Sequence, residues 1–475
     1  MRDLSRLIKA YDIRGTVPDQ FNEATAWEIG AAFARLTGAD TIVTVRDMRP
    51  SSPALAAAFA AGVNSQGANI VNAGLGSTDL MYFASGYLGM PGAVVTASHN
   101  PAEYNGIKLC RAGAAPVGQD TGLGDIRRML EEGIPAHDGT PGTIIHRDLL
   151  IDYAAHLRRL VDLSYIRPLK IVVDAGNGMA GYVVPAVLGD GILPALPLTI
   201  VPMYFELDGT FPNHEANPID PANLVDLQKA VVRHGADAGL AFDGDADRCF
   251  LIDQNGDPVP PSAIVGLIAT RELAHHPGAA VVYNVITSQA VPEIIEESGG
   301  RPVRCRVGHS FMKQLMAEHD AVFGGEHSGH YYFRDFWRAD TGMLAAMHVL
   351  AALGRQDRPL SELAGRFTRY TASGEINSEV ADPAQTLDRV AAHYADRPGA
   401  TADRLDGLTI TLGPTWFNLR PSNTEPMLRL NVEAPDTASM VRLRDEVLSM
   451  VRQETESTGE SLRNPPVPPR AGDGG

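Results

Sequence analysis

The amino-acid sequence predicts an α/β protein: three related domains with mixed or parallel sheets, followed by a C-terminal α+β domain with an antiparallel sheet. Three observations predict it. A strand–loop–helix unit recurs three times at a spacing of roughly 110–130 residues, too long for a short-period solenoid. Strands alternate with helices in those units, as parallel or mixed sheets require. Beyond residue 400 the pattern changes to strands joined without helices.

The first helical pattern covers residues 23–37. The β-branched run Thr41-Ile42-Val43-Thr44-Val45 is a strand. It is followed by Arg46-Asp47-Met48-Arg49 and an alanine-rich helix over 53–63, with a proline in the first turn and Gly62 near the end. A strand at 68–71 leads through a glycine-rich loop to Ala93-Val94-Val95, a buried strand. That strand stops in Thr96-Ala97-Ser98-His99-Asn100-Pro101. Pro101 disfavours the α region for Asn100, so the loop displays a hydroxyl at a strand end, where α/β proteins place chemistry. Asn105-Gly106 reads as a tight turn, and Ile107-Lys108-Leu109 as a short strand with one inward-reaching amine.

The unit returns as a strand at 170–174, a loop at 175–178 and a helix over 180–188, then as a strand at 280–283 and a helix over 289–298. Between them a helix closes at 229–234. Strands at 238–242 and 249–253 flank an acidic loop, and Asn255-Gly256 turns a hairpin. Strands follow at 409–412, 416–419 and 427–432, then a helix over about 437–451. The tail from Ser457, with Pro-Pro-Val-Pro-Pro and Gly-Gly, cannot bury a core and is expected to be disordered.

The chain has 475 residues, enough for several cores, and is 44% hydrophobic. A formal charge of -17 argues against nucleic acid or an anionic membrane as partner, so an anionic ligand needs a local basic pocket. Cys110, Cys249 and Cys305 are scattered, which points to a reducing cytoplasm. The charged N-terminus lacks the apolar core of a signal peptide, and no apolar run approaches the roughly 20 residues of a membrane span.

Four loops carry candidate chemistry. Asp243-Gly244-Asp245-Ala246-Asp247-Arg248 puts three carboxylates at alternate positions, and a hard divalent cation, Mg²⁺ or Ca²⁺, would offset their repulsion. An acid-rich turn or an incomplete calcium loop is the competing reading; the glutamate a calcium loop needs is replaced by Gln254. Gly325-Glu326-His327-Ser328-Gly329-His330 offers varied hydrogen-bond partners suited to a sugar, or a zinc site using His327 and His330. Arg420-Pro421-Ser422-Asn423-Thr424 makes a rigid anion cradle for a phosphate. Gly308-His309 puts an imidazole at the start of a helix.

Together and in this order the loops resemble those of the α-D-phosphohexomutase superfamily, over about residues 5–455. The chain is most similar to the phosphomannomutase/phosphoglucomutase group, with a sugar loop like that of bacterial phosphomannomutases. The resemblance implies a four-domain architecture: residues 1–147 with the phosphoserine loop, 148–253 with the metal loop, 254–368 with the sugar loop and 369–456 with the phosphate loop, before a tail at 457–475. It implies that Ser98 carries a phosphoryl group and holds Mg²⁺ with Asp243, Asp245 and Asp247. A hexose 1,6-bisphosphate would phosphorylate Ser98 and serve as the intermediate between mannose 1-phosphate and mannose 6-phosphate. Glucose phosphates are the runner-up substrates, and a monomer or homodimer is expected.

The resemblance also implies that Arg14, Lys108 and Arg248 surround the transferring group, with Lys108, His309 and His330 as candidates for proton transfer. Tyr11, Glu326, His327, Ser328, Arg420, Ser422, Asn423 and Thr424 would contact substrate. One departure stands out: relatives often carry a basic residue where this chain has Ile286. Two other classes compete. A serine hydrolase would pair Ser98 with His99, but neighbouring side chains on extended backbone point apart and no Gly-x-Ser-x-Gly elbow is present. A non-catalytic sugar-phosphate sensor would have no need to keep Ser98, Lys108 and all three aspartates.

Overall fold

The computed structural model describes residues 4, 6–8, 12–422 and 427–460, with 453–460 through the backbone alone. Among them the strands form four sheets, and three share one plan. The first runs Ile13–Thr16, Tyr104–Arg111, Gly92–Val95, Thr41–Arg46, Asn69–Leu75, Ile144–His146. The second runs Pro258–Val259, Cys249–Asp253, Ala238–Phe242, Leu169–Asp174, Leu198–Met203. The third runs Ala339–Asp340, Tyr331–Phe333, Phe323–Gly325, Ala280–Asn284, Arg301–Cys305. In each sheet, parallel strands fill one side and antiparallel strands the other. The sheets are mixed, as expected from the recurring strand–loop–helix unit.

The chain divides into two compact units between Thr368 and Arg369. The second unit holds the fourth sheet, Thr371–Glu379, Met427–Ala434, Thr415–Pro421, Leu408–Leu412, Ala400–Asp403, in which every neighbouring pair is antiparallel. Its core joins strand residues such as Phe417 and Val432 to Val390 of helix Pro383–Ala395 and Val447 of helix Thr437–Glu460, the α+β arrangement expected.

Local sequence explains the elements that frame the first unit. Helix Glu23–Thr37 starts where the Asn22 side chain accepts from Thr25 N and stops at Gly38, whose φ of 59° lets the chain leave in the left-handed region. It packs on helix Ser52–Ser65 through two glycines. A Cβ on Gly30 would stand 2.1 Å from Phe59 O, and one on Gly62 2.0 Å from Trp27 O, so this close approach excludes any side chain there. Helix Gly342–Gly354 is buried on all sides save Ala352 and belongs to a core continuous with all three mixed sheets.

Three sequence expectations are corrected here. Asn105-Gly106 is not a turn: both residues lie within strand Tyr104–Arg111. Asn105 is buried and donates to the Ser51 and Ser52 hydroxyls at 2.8 and 2.9 Å, and Gly106 lets Ile13 O approach where a Cβ would clash at 2.2 Å. The backbone at Ser98 is not extended but left-handed, with φ 50°. The last helix, Thr437–Glu460, runs past the expected end near Val451 and takes in residues 457–460, the start of the expected disordered tail; residues 461–475 lie outside those described.

Candidate active site

Each mixed sheet delivers one loop at the same point of its plan, where the last parallel strand hands over to the first antiparallel one. Loop 96–103 joins Gly92–Val95 to Tyr104–Arg111, loop 243–248 joins Ala238–Phe242 to Cys249–Asp253, and loop 326–330 joins Phe323–Gly325 to Tyr331–Phe333. Three copies of one topology thus present a hydroxyl, a carboxylate cluster and a mixed polar loop.

Ser98 is buried, and its Oγ donates to Asp243 Oδ2 at 2.8 Å. The left-handed backbone brings His99 Nδ1 to 3.3 Å of the same oxygen, so the two neighbours do not point apart as the sequence suggested. Burial, then Arg248 and Arg14, push the His99 pKa down to about 2, which keeps the ring neutral. The serine proton is directed at a carboxylate in the metal-type cluster, which does not favour a Ser–His hydrolase.

Asp243, Asp245 and Asp247 are buried, and each offers an oxygen within 4.8 Å of the others. Arg248 Nε and Nη2 each lie 2.9 Å from Asp243 Oδ2. Lys108 Nζ stands 2.6 Å from both Asp245 Oδ2 and Asp247 Oδ2. Thr78 Oγ1 donates to Asp245 Oδ2 at 2.5 Å, and Thr78 N to Asp245 O at 3.0 Å. Burial pushes Asp243 up to about 7, with Arg248 opposing and the two other aspartates adding. Burial also acts on Asp245, but the Lys108 ammonium outweighs it and holds that carboxyl below its usual range. Lys108 itself is held charged: burial works against its ammonium, and Asp245 and Asp247 more than offset it.

The donor set fits a hard divalent cation. All three side chains offer oxygen, and Asp245 Oδ1 and Asp247 Oδ1 are buried without a hydrogen-bond donor. Gln254 takes no part, which removes the calcium-loop reading: its amide bonds the Ser361 hydroxyl at 2.7 Å and accepts from Ser361 N at 3.1 Å.

In the third loop, Glu326 is buried and accepts from Tyr332 OH at 2.7 Å and Ser328 Oγ at 3.0 Å, with Asn284 Nδ2 at 3.4 Å. His330 Nδ1 lies 3.0 Å from Asp340 Oδ2 and 3.9 Å from Asp247 Oδ1, and Lys313 Nζ lies 3.1 Å from Asp340 Oδ1. Burial acts to lower the His330 pKa, but Asp247 and Asp340 outweigh it and raise it. His327 Nδ1 instead faces Ser262 Oγ at 3.2 Å. Among the described residues His330 clusters with Asp247 and Asp340 and not with His327, so the zinc pairing is not supported. Burial, then Lys313, push His309 down to about 3.

The chain matches the four domains described for phosphoglucomutase/phosphomannomutase: alpha/beta/alpha domain I at residues 5–133, domain II at 151–256, domain III at 260–370 and the C-terminal domain at 375–450. The chain belongs to the phosphoglucomutase/phosphomannomutase family. It is 42% identical over 450 residues to a phosphomannomutase of Salmonella montevideo, covering 93% of this chain and 98% of that protein. It is 43% identical over 444 residues to a protein named phosphohexose mutases in Xanthomonas campestris, covering 93% and 98%. A phosphoglucomutase/phosphomannomutase family protein of Burkholderia thailandensis superposes with a TM-score of 0.85 at 30% identity, covering 95% and 98%. Membership makes the chain an enzyme, an isomerase of the phosphohexose mutase class.

Within this phosphohexose mutase the structure brings together Ser98, Lys108, Asp243, Asp245, Asp247, Arg248 and His330. Arg14 reaches the serine loop at Asn100 Oδ1 while pairing with Asp12 at 2.5 Å. Ile286 is buried and brings no charge to its loop. In the second unit, Arg420 and Arg429 share Glu375 at 2.7 and 3.0 Å, two guanidiniums against one carboxylate, and Ser422 N donates to Met427 O at 2.8 Å. Tyr11, Asn423 and Thr424 lie outside the described residues. Among the described residues no helix is long and apolar enough to cross a membrane.

The segment Asp340-Thr341-Gly342 fits the family pattern in sequence, but sequence reasoning missed the other supports: Thr78 behind Asp245, Lys313 on Asp340 behind His330, Tyr332 behind Glu326 and Ser262 behind His327. One had a usable signal. Lys313 follows His309 by four positions on helix His309–Glu318, which puts both on one face.

Proposed function

We propose that this phosphohexose mutase interconverts mannose 1-phosphate and mannose 6-phosphate through a phosphoserine at Ser98 and a hexose 1,6-bisphosphate. One observation carries the reading: the Ser98 hydroxyl donates at 2.8 Å to a buried three-carboxylate cluster that also meets Lys108 and Arg248. A phosphoryl carrier needs that combination, because phosphate charge must be neutralised on both sides of the moving phosphorus. Mg²⁺ held by the phosphoserine and by Asp243, Asp245 and Asp247 would neutralise the phosphoryl oxygens and polarise the phosphorus.

In the first half, O6 of mannose 1-phosphate attacks phosphoserine. The O6–P bond forms as the Oγ–P bond breaks, and the O6 proton passes to a base. His330 suits that role: Asp340 engages Nδ1 and leaves Nε2 to exchange the proton. Lys108 and Arg248 stabilise charge on the transferring oxygens. The bisphosphate then turns over. Its O1 phosphoryl moves to Ser98 Oγ, the P–O1 bond breaks, and O1 takes back a proton, leaving mannose 6-phosphate and the phosphoenzyme. Arg420 and Ser422, with Asn423 and Thr424, hold the phosphate that is not reacting.

Glu326 and Ser328 grip the sugar's O3 and O4, which mannose and glucose share. Mannose 1-phosphate is therefore preferred over glucose 1-phosphate by only tenfold to a few hundredfold, on the order that weak differential contacts give. The test compares kcat/KM for mannose, glucose and glucosamine 1-phosphates. Preference for glucosamine 1-phosphate overturns the branch, and preference for glucose 1-phosphate makes the runner-up the better reading.

A further inference from the structure

The buried guanidinium of Arg49 has no role in the chemistry described so far, yet both its terminal nitrogens point at one stretch of backbone. Nη1 donates to Pro101 O at 2.7 Å and Tyr104 O at 2.9 Å. Nη2 donates to Ser98 O at 2.9 Å and Asn100 O at 2.6 Å. Nε faces Asp47 Oδ2 at 3.3 Å. The fork thus serves three carbonyls of the loop that carries Ser98 and that of Tyr104, the first residue of the strand that follows it, while Arg49 itself is 1% exposed. Asp47 is fixed in turn by Ser52 Oγ and by Arg49 N, the latter at 3.0 Å.

The segment that follows strand Leu198–Met203 of the second mixed sheet closes over the same group. The Phe211 ring lies 5.0 Å from the guanidinium carbon, and Gly209 packs where a Cβ would stand 2.6 Å from Arg49 Cα. Gly244 of the acidic loop packs on the far end of the clamp, where a Cβ would stand 2.4 Å from Ser98 O. Ser98 meanwhile keeps a left-handed backbone that non-glycine residues adopt only when their surroundings impose it.

We propose that Arg49 is a positioning residue: its guanidinium locks the serine loop from behind, so that Ser98 Oγ stays aimed at the acidic cluster. A loop that both gives and receives a phosphoryl group must hold its oxygen still between two half-reactions, and misplacement by about 1 Å can cost on the order of a hundredfold in rate. Lysine cannot replace the group. Its ammonium has three donors radiating from one point, whereas the carbonyls require two parallel pairs.

The role of the lock in turnover rests on the mutase reading; its effect on the loop does not. Two measurements on Arg49→Lys separate them. Steady-state kinetics on mannose 1-phosphate should show kcat down by about tenfold to a hundredfold with KM within about twofold, because substrate contacts are untouched. Amide hydrogen exchange in a peptide spanning residues 97–104 should speed up by at least about tenfold, since four carbonyls lose their donors. Exchange unchanged from the wild type overturns the lock outright. Faster exchange with kcat unchanged overturns its catalytic importance, as does a rise in KM alone. If the wild type shows no mutase turnover, the mutase reading fails while the exchange arm still decides the lock. If Arg49→Lys does not fold, Asp47→Asn decides by the same measurements, since it keeps the guanidinium but removes the charge that orients it; unchanged exchange and kcat there overturn the proposal.

Discussion

Asp79 offers a test of how the first unit is held together behind the acidic loop. Its side chain is fully buried and accepts from three hydroxyls: Ser77 Oγ, Tyr153 OH at 2.7 Å and Thr341 Oγ1 at 2.7 Å. Burial pushes its pKa from 3.8 up to about 6, against the pull of those three bonds. The sign follows from proton counts. Between pH 3.8 and about 6 the folded protein keeps a proton that the unfolded chain has lost, so stability falls as pH rises through that window. The gap, at about 1.4 kcal/mol per pH unit, is about 3 kcal/mol. Asp79→Asn mimics the protonated acid, and its three partners are hydroxyls that can rotate to accept as well as donate. Urea unfolding of both proteins in a chelator, from pH 4 to pH 8, isolates this one group because every other titration cancels in the difference. The stability of Asp79→Asn relative to the wild type should rise by about 2.4 kcal/mol between pH 4 and pH 7, most of the full gap, and then level off. A difference that stays flat with pH would refute the burial argument.

Asp245→Asn removes one charge from the cluster and one of the two partners of Lys108, so half-maximal activity should require more Mg²⁺; an unchanged Mg²⁺ titration would show that Asp245 is no ligand. Arg420→Ala leaves Glu375 with Arg429 alone and, on the proposed reading, removes a contact to the phosphate that does not react, so KM should rise more than kcat falls. A fall in kcat with KM unchanged would place Arg420 at the chemistry instead.

The side chains that the structure brings together were legible mainly where they fall in short contiguous loops, as at Ser98 and Asp243 to Arg248, whereas Lys108 lies in strand Tyr104–Arg111. Three alternating aspartates before an arginine, and a serine between a strand and a proline, are local signals. Their supports are not local. Arg49 reaches the serine loop from about fifty positions away and looks in sequence like any polar residue after a strand. The left-handed backbone at Ser98 is imposed by that tertiary clamp, and serine gives no hint of it. Asn105-Gly106 misled for a related reason. The pair favours turns in isolation, but here Asn105 has two buried hydroxyl partners and Gly106 is required by a neighbouring strand. Helix Gly342–Gly354 showed no amphipathic period because it is buried on nearly every side, and periodicity detects only a helix with a wet face. By contrast Glu23–Thr37, with one buried face and both caps in the sequence, was read with its observed bounds.

Intact-mass measurement tests most directly whether Ser98 carries the phosphoryl group. Incubation with a hexose 1,6-bisphosphate should add the mass of one phosphoryl group, mapped to Ser98, and a hexose monophosphate should then remove it. Ser98→Ala should keep its fold, since one hydrogen bond to Asp243 is lost while Arg248 remains on that carboxylate, and it should show neither adduct nor turnover. An adduct on another residue, no adduct at all, or Ser98→Ala turnover above about a few per cent of wild type would contradict the assignment.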